Sequence, residues 1–417
     1  MKQKTLLYLL FIAIVPLGCT SNRQGKEDLP FIDIRKNYPE KELILTDFAD
    51  VSFIHLNAEN ADFLYKSPIR ALTVTNNTIV VYDISTCSIL FFSKDGTPKS
   101  RFNRLGQGPE EYIPADIIRI LYDEETDEVF FTNHRINIIQ VYSSKGQYKR
   151  TIPLPQGVPT HSLPLPQGVH THSLVSFDDE SFFMYNSKST IYMMPSLREE
   201  HFSEIPNFTT YYWISKVDGT ILDSLNLQSD KTVSLVKIHP KGHILYLTPY
   251  GRLIKGIEGY FLCNPETDTV YFYSNDKSLT PIFRKTPSVH DLDPKAVITN
   301  VVDISRYQFF SIETIFYEED RRNPIYPEKY YFLDKETGEI FRQKIILPEY
   351  KGKEFQLFVG YLRVGYYGIE NGIAYELDLI ELKQAYEENR LSGKLKELVS
   401  TLNELEDNNV LMLVHFK

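Results

Sequence analysis

The hydrophobic pattern of this chain is organised in hairpins. An aromatic-rich strand, a short polar turn and a second strand recur at 88–102 (SILFFSKDGTPKSRF), 137–152, 211–225, 259–273 and 329–345. The strand halves are β-branched and aromatic, which suits a pleated, half-buried surface. The turns hold Asp-Gly, Lys-Gly, Glu-Thr-Asp or Glu-Thr-Gly, where Gly supplies a positive φ and Asp bonds back to its own backbone. They centre on Gly96, Gly146, Gly219, Asp268 and Gly338, with spacings of 50, 73, 49 and 70 residues.

Each spacing leaves room for two more strands. Candidates stand upstream at 71–83, 117–133, 241–257 and 305–320. Repeated units of four antiparallel strands predict an all-β propeller, with about six blades. A sixth unit is assembled from 357–379, whose turn is Asn371-Gly372, and from 408–417. A strand at 44–56 is expected to complete that blade, joining the chain ends and removing the last free edge. Leu395, Leu398, Val399, Leu402 and Leu405 follow the i, i+3, i+4, i+7 pattern of one helical face. They predict a short C-terminal helical insert at about 380–405, broken near Ser392-Gly393 from an earlier turn with Leu382 and Tyr386.

The first residues are an address. Lys2 and Lys4 precede an apolar run from Leu6 to Val15, too short to span a bilayer and right for a signal peptide. Residues 1–18 read as that peptide and 19–29 as a flexible tether; 30–417 form a single propeller domain. Gly18-Cys19 followed by a polar stretch resembles the lipobox of bacterial lipoproteins, although Pro16 stands where that pattern has Leu. The resemblance implies lipid attachment at Cys19 and a membrane held through an N-terminal lipid. Gly25 to Asp28 is a charged cluster like the export signals of surface lipoproteins.

Composition excludes two classes. With 42% hydrophobic and 24% charged residues the chain has the apolar content of a folded protein. The charge of 45 − 55 = −10, or 43 − 55 = −12 once Lys2 and Lys4 are removed, argues against a nucleic-acid binder. Cys87 and Cys263 both lie in strand-like segments and read as unpaired thiols.

Arg104 to Tyr112 (RLGQGPEEY) resembles the G-x-G-P-G-E-Y segment of six-bladed β-propeller lipoproteins of Gram-negative gut bacteria, relatives of NHL-type propellers. Glu406 to Leu411 resembles that family's closing E-D-x-N-P-V-L stretch, and 268–283 one of its recurrent strands. Glu110 replaces a family Gly, and Asn409 a family Pro. The resemblance implies fold and address, namely a cell-envelope protein at the outer membrane. Within the motif, Gly106, Gly108, Pro109, Glu111 and Tyr112 read as an inter-blade loop. A phosphate loop would end in Gly-Lys-Ser/Thr and open a helix, and neither is present.

Other chemistry is sparse. Residues 153–163 and 164–174 are an 11-residue tandem copy that gathers His161, His170 and His172. Three imidazoles are a zinc-type donor set, but duplication alone accounts for them. Asp123 to Glu128 reads as a solvated hairpin tip, because a calcium loop needs a Gly at its bend. Asp291 and Asp293 read as a turn before Pro294. There is no G-x-S-x-G elbow and no H-E-x-x-H. No catalytic residue, metal or cofactor is assigned. The expected function is a lipid-anchored envelope module that binds a glycan, peptide or envelope protein through its ring face, without chemistry of its own. The alternative is an exported hydrolase or lyase acting on a glycan or lactone at the central channel.

Overall fold

The computed structural model describes residues 29–417, apart from 59–60, 66–68, 70, 113–116, 134–137, 155–173, 188–208, 228–235, 239–243, 247–251, 265, 317–326 and 358–365. Six four-stranded antiparallel sheets form a β-propeller. Blades 1 to 5 occupy 71–102, 117–153, 175–226, 252–286 and 295–346. In each, the chain starts at the innermost strand and works outward. A small extra hairpin, Val236–Ile238 with Ile244–Tyr246, lies between blades 3 and 4 in sequence. Blade 6 uses Tyr366–Ile369, Gly372–Leu377 and Val410–Phe416, and takes its outermost strand, Ala49–His55, from the other end of the chain.

Because each sheet is apolar on both faces, the core is divided into layers, one between each pair of successive blades. Phe91, Tyr112, Phe131 and Tyr142 fill the gap between blades 1 and 2. Phe130, Phe182 and Ile214 fill the next, and Phe183, Trp213, Tyr260 and Tyr273 the one after. Phe283 and Phe310 join blades 4 and 5, Phe309 and Tyr375 join 5 and 6, and Ile79 and Leu413 close 6 onto 1. Flat rings suit this role because they fill a slab between pleated surfaces.

The N-terminal chain is a strap across three blades. Phe31–Asp33 adds parallel to the outer strand of blade 4, pairing with Arg284–Thr286. Glu40–Ile44 adds parallel to the outer strand of blade 5, pairing with Arg342–Ile346. A one-turn helix, Leu45–Phe48, then leads into the closing strand of blade 6. The strap is held by alternation. Leu43 and Leu45 point into the core, while Glu40 meets Arg342 at 2.6 Å and Glu42 meets Lys344 at 2.9 Å outside. Lys41 reaches the fully buried Asp334, which Arg306 also contacts.

The expected closure by 44–56 is present, one turn later in the chain. The additions on blades 4 and 5 were not expected. Gly96, Gly146, Gly219 and Gly338 all sit at positive φ in third-to-fourth-strand turns, as the hairpin pattern requires. Asp268 is displaced by one hairpin: it ends the second-to-third-strand turn of blade 4. The equivalent turn there is 275–278, where Lys277 takes φ 67°. The insert forms two helices, Leu379–Glu387 and Gly393–Thr401. Leu395 and Val399 are buried as predicted, but Leu405 lies past the helix end and is 81% exposed. Among the described residues, neither Cys87 nor Cys263 is in a disulfide.

Candidate functional site

The motif loop is a clamp between blades 1 and 2. The Gly106 amide donates to the Tyr112 carbonyl (3.1 Å) and the Tyr112 amide to the Arg104 carbonyl (2.9 Å), which closes the loop. Glu111 folds back to accept from the Gly108 amide at 2.8 Å. A Cβ on Gly106 would lie 1.8 Å from that carboxylate, so the glycine is needed for the approach. Tyr112 is fully buried, stacks on Phe131 of blade 2 at 4.3 Å, and donates to the Cys87 carbonyl of blade 1 at 2.6 Å. Burial pushes its pKa up to about 12. Gln140 donates to the Glu111 carbonyl and Tyr142 to the Glu110 carbonyl. The Tyr112 side chain is buried, while Pro109, Glu110 and Glu111 lie at the exposed surface of the loop. These contacts tie the motif loop to itself and to both blades.

The closing motif is a latch of the same kind. Asn408 is buried, donating to the Leu56 and Phe63 carbonyls and accepting from the Tyr65 amide. Asn409 accepts from the Leu379 amide and donates to Glu376. Burial raises the Glu376 pKa against those bonds. Asp407 meets His55 at 3.1 Å, at one end of the closing strand pair. The acidic hairpin tip of blade 2 is also more engaged than a solvated turn. Glu124 accepts from Thr75 and from the Asn77 amide of blade 1 (3.1 Å each). Glu128 holds Arg150 with both oxygens.

The ring has two different faces. On one, paired strands are joined by at most five residues, as in Lys216–Thr220. The long connections leave from the other: Pro153 to Val175, Ser187 to Thr209, Ile315 to Glu328, Ile346 to Tyr366 and Leu377 to Val410. Binding residues concentrate on loops that a rigid scaffold positions.

A buried polar cluster lies toward that loop face, on the side of blade 5 that meets blade 6. Glu313 and Glu328 are direct partners in the strand register, so their side chains share a face. Glu313 is 8% exposed and Glu328 is half-buried. Glu328 accepts from Thr299 (3.0 Å), Ser311 (2.6 Å) and Tyr330 (2.8 Å). Thr299 reaches it because the innermost strand bulges between Ile298 and Asn300, a device that re-aims side chains. The bulge also lets Asn300 donate to the Leu357 carbonyl at 2.9 Å. Two carboxylates among three hydroxyls form a site rich in acceptors.

Two further features involve buried polar groups or a cation. Between blades 3 and 4, the buried Tyr211 hydroxyl and Trp213 indole N–H find no acceptor among the described residues. Lys255, on the innermost strand of blade 4, lies over the Tyr260 ring at 5.0 Å. The surrounding protein lowers its pKa, against the pull of Glu370 from blade 6.

Neither the blade 5 cluster nor Lys255 stands out in the sequence; the Tyr211-Tyr212-Trp213 triplet does, with strand alternation predicting at least one outward ring, but all three rings are buried between sheets. A signal was present in YQFFSIETI: Ser311 and Glu313 continue the face that Tyr307 and Phe309 begin. Cys19, His161, His170 and His172 lie outside the described residues. Among the described residues, no three His, Cys, Asp or Glu side chains gather as a metal site. No helix among them is long and apolar enough to cross a membrane.

A family model described as 6-bladed beta-propeller matches residues 20–363. No curated protein matches the chain. Among solved structures, a Bacteroides fragilis protein described as exported is 15% identical over 91% of this chain and 99% of its own, with a TM-score of 0.54. A Bacteroides vulgatus protein is 11% identical over 89% and 97%, with a TM-score of 0.42. Virginiamycin B lyase from Staphylococcus aureus is 9% identical over 88% and 100%, with a TM-score of 0.37. The first likeness shows the fold alone, and the other two carry no argument.

Proposed function

The chain belongs to the 6-bladed beta-propeller family, and from that premise we propose that it is an exported, lipid-anchored envelope module. It binds a hydroxyl-rich ligand, a glycan, on its loop face and performs no chemistry of its own. The observation that carries this reading is the cluster of Thr299, Ser311, Glu313, Glu328 and Tyr330, placed toward the face from which the long connections leave. Carboxylates in a partly buried setting accept strongly from sugar hydroxyls, and the hydroxyls around Glu328 fix its orientation. The leader, Gly18-Cys19 and the polar tether support the envelope address.

A glycan array probed with the soluble 30–417 fragment tests the site. Glu328→Gln and Tyr330→Phe should each weaken any hit at least tenfold, with the melting temperature kept. Undiminished binding would remove the cluster from the reading. For the anchor, Cys19→Ala should abolish lipid labelling and membrane-fraction recovery; unchanged fractionation removes it.

One observation favours the hydrolase alternative. Residues directly opposed across antiparallel strands place their Cβ atoms roughly 4.5–5.5 Å apart, which is compatible with the roughly 5–5.5 Å between carboxyl groups in retaining glycosidases. Turnover of a bound glycan, lost in both Glu313→Gln and Glu328→Gln, would favour that alternative over simple binding.

A further inference from the structure

Three outer strands carry no strap: Pro98–Phe102, Tyr148–Pro153 and Ile221–Asn226. Among the described residues no strand pairs with their outer sides. An open edge offers a row of backbone donors and acceptors, and folded proteins commonly blunt it with Pro, Lys or other charges. Blade 1 does so with Pro98, Lys99 and Arg101, and blade 2 with Lys149, Arg150 and Pro153. Blade 3 does not. Its edge reads ILDSLN, with Ile221 49% and Leu222 54% exposed, and Val217 in the adjoining turn 72% exposed. The one charge is Asp223, exposed, with Lys277 of blade 4 no closer than 3.9 Å.

The two blades that follow show how such an edge is used in this ring. Blades 4 and 5 each take an added parallel strand on the outer side. On blade 5, the charges Glu40–Arg342 and Glu42–Lys344 pair across the junction. The chain enters the strap at Pro30, where the Pro30 carbonyl accepts from the Arg284 amide on blade 4, the neighbour of blade 3.

We propose that the outer edge of blade 3, Ile221–Asn226, is a docking strand for an extended segment of a partner protein. The segment adds by backbone pairing, lays alternate aliphatic side chains on Ile221 and Leu222, and sets a basic residue against Asp223. Antiparallel pairing of this edge with a second copy would set the two Asp223 carboxylates close to each other near the middle of the junction, which like charges oppose. The docking edge is independent of the polar cluster on blade 5.

The test uses the purified protein and a fluorescein-labelled nonapeptide of alternating Val and Lys, with an alternating Val and Glu peptide as control. Anisotropy should report binding of the first and not the second. Leu222→Lys and Asp223→Lys should weaken it at least tenfold, while Ser100→Lys on the blunted edge of blade 1 leaves it unchanged. Amide hydrogen exchange on the parent protein should show new protection within 221–226, a readout that stands if a variant fails to fold. Absence of binding, binding unmoved by both variants, or protection elsewhere would overturn the proposal. Self-association abolished by Leu222→Lys would assign the edge to a second copy and overturn it equally.

Discussion

Blades 1 to 3 and blades 4 to 6 are fastened in different ways. In the first half, the turn glycine of each blade is pressed onto the outer strand of the blade before it. A Cβ on Gly96 would lie 1.9 Å from the His55 carbonyl oxygen, one on Gly219 1.9 Å from that of Pro153, and one on Gly146 2.6 Å from the Phe102 side chain. In the second half this contact is lost. Gly338 has nothing within 4 Å of its Cβ position, and blade 4 has Lys277 instead of a glycine. There the strap does the fastening, by backbone pairing along the outer strands of blades 4 and 5 and by closing blade 6. A ring of sheets can thus be fastened by a turn glycine where that turn meets the neighbouring outer strand, and by a distant chain end where it does not.

The largest expected effect is on the strapped half. Lys285 and Asp268 form a buried pair at 2.5 Å, and the Val289 amide also donates to Asp268. Lys285 lies in register with Ile32 of the strap. Asp268→Asn leaves the lysine without its counter-charge and should cost about 3–5 kcal/mol in urea unfolding. Burial raises the Asp268 pKa, but the Lys285, Ser288 and Val289 bonds outweigh it and hold it below 3.8. The stability this gives is present above the unfolded value and is lost as pH falls through the folded one. The variant should lose that acid-side slope.

Next comes a direct comparison of equivalent turns. Gly219→Ala should cost about 3 kcal/mol or more, from positive-φ strain plus the clash with Pro153. Gly338→Ala, at a similar φ but with open space, should cost only about 1–2 kcal/mol. Equal costs would mean that the glycine contact does not fasten the first half.

A smaller effect is pH-dependent and sits where the halves meet. His55 faces Asp407, and His415 is in register with Asp50, at opposite ends of the closing strand pair. Burial lowers both pKa values below 6.5; Lys94 adds to this at His415, and the aspartates oppose it. The folded ring therefore disfavours the second proton on each imidazole. Stability is full above pH 6.5 and falls as pH drops through the folded values. The melting temperature should decline on acidification below that point, and less so in His55→Gln. Smallest of all, Arg342→Ala removes an exposed pair with Glu40 and should cost less than about 1 kcal/mol.

The hairpins were legible in the sequence because their determinants are local. Period-two apolar strands flank Gly96, Gly146, Gly219 and Gly338, and those glycines alone fix four turns. Asp268 misled because Glu-Thr-Asp-Thr has the composition of an outer turn, while the true one places a lysine at positive φ. The strap was hidden for another reason. Phe31–Asp33 and Glu40–Ile44 are short and partly charged, and their partners lie some 250–300 residues away. The candidate site was illegible for the same reason: Glu313 and Glu328 meet only through strand register, and Thr299 joins them only through a bulge.

The strap is tested most directly by native-state hydrogen exchange on a chain begun at residue 46, which lacks both added strands and keeps the closing one. The account predicts that the outer strands of blades 4 and 5, Leu279–Thr286 and Glu339–Ile346, lose protection while those of blades 1 to 3 keep it. Unchanged protection at 279–286 and 339–346 would contradict it.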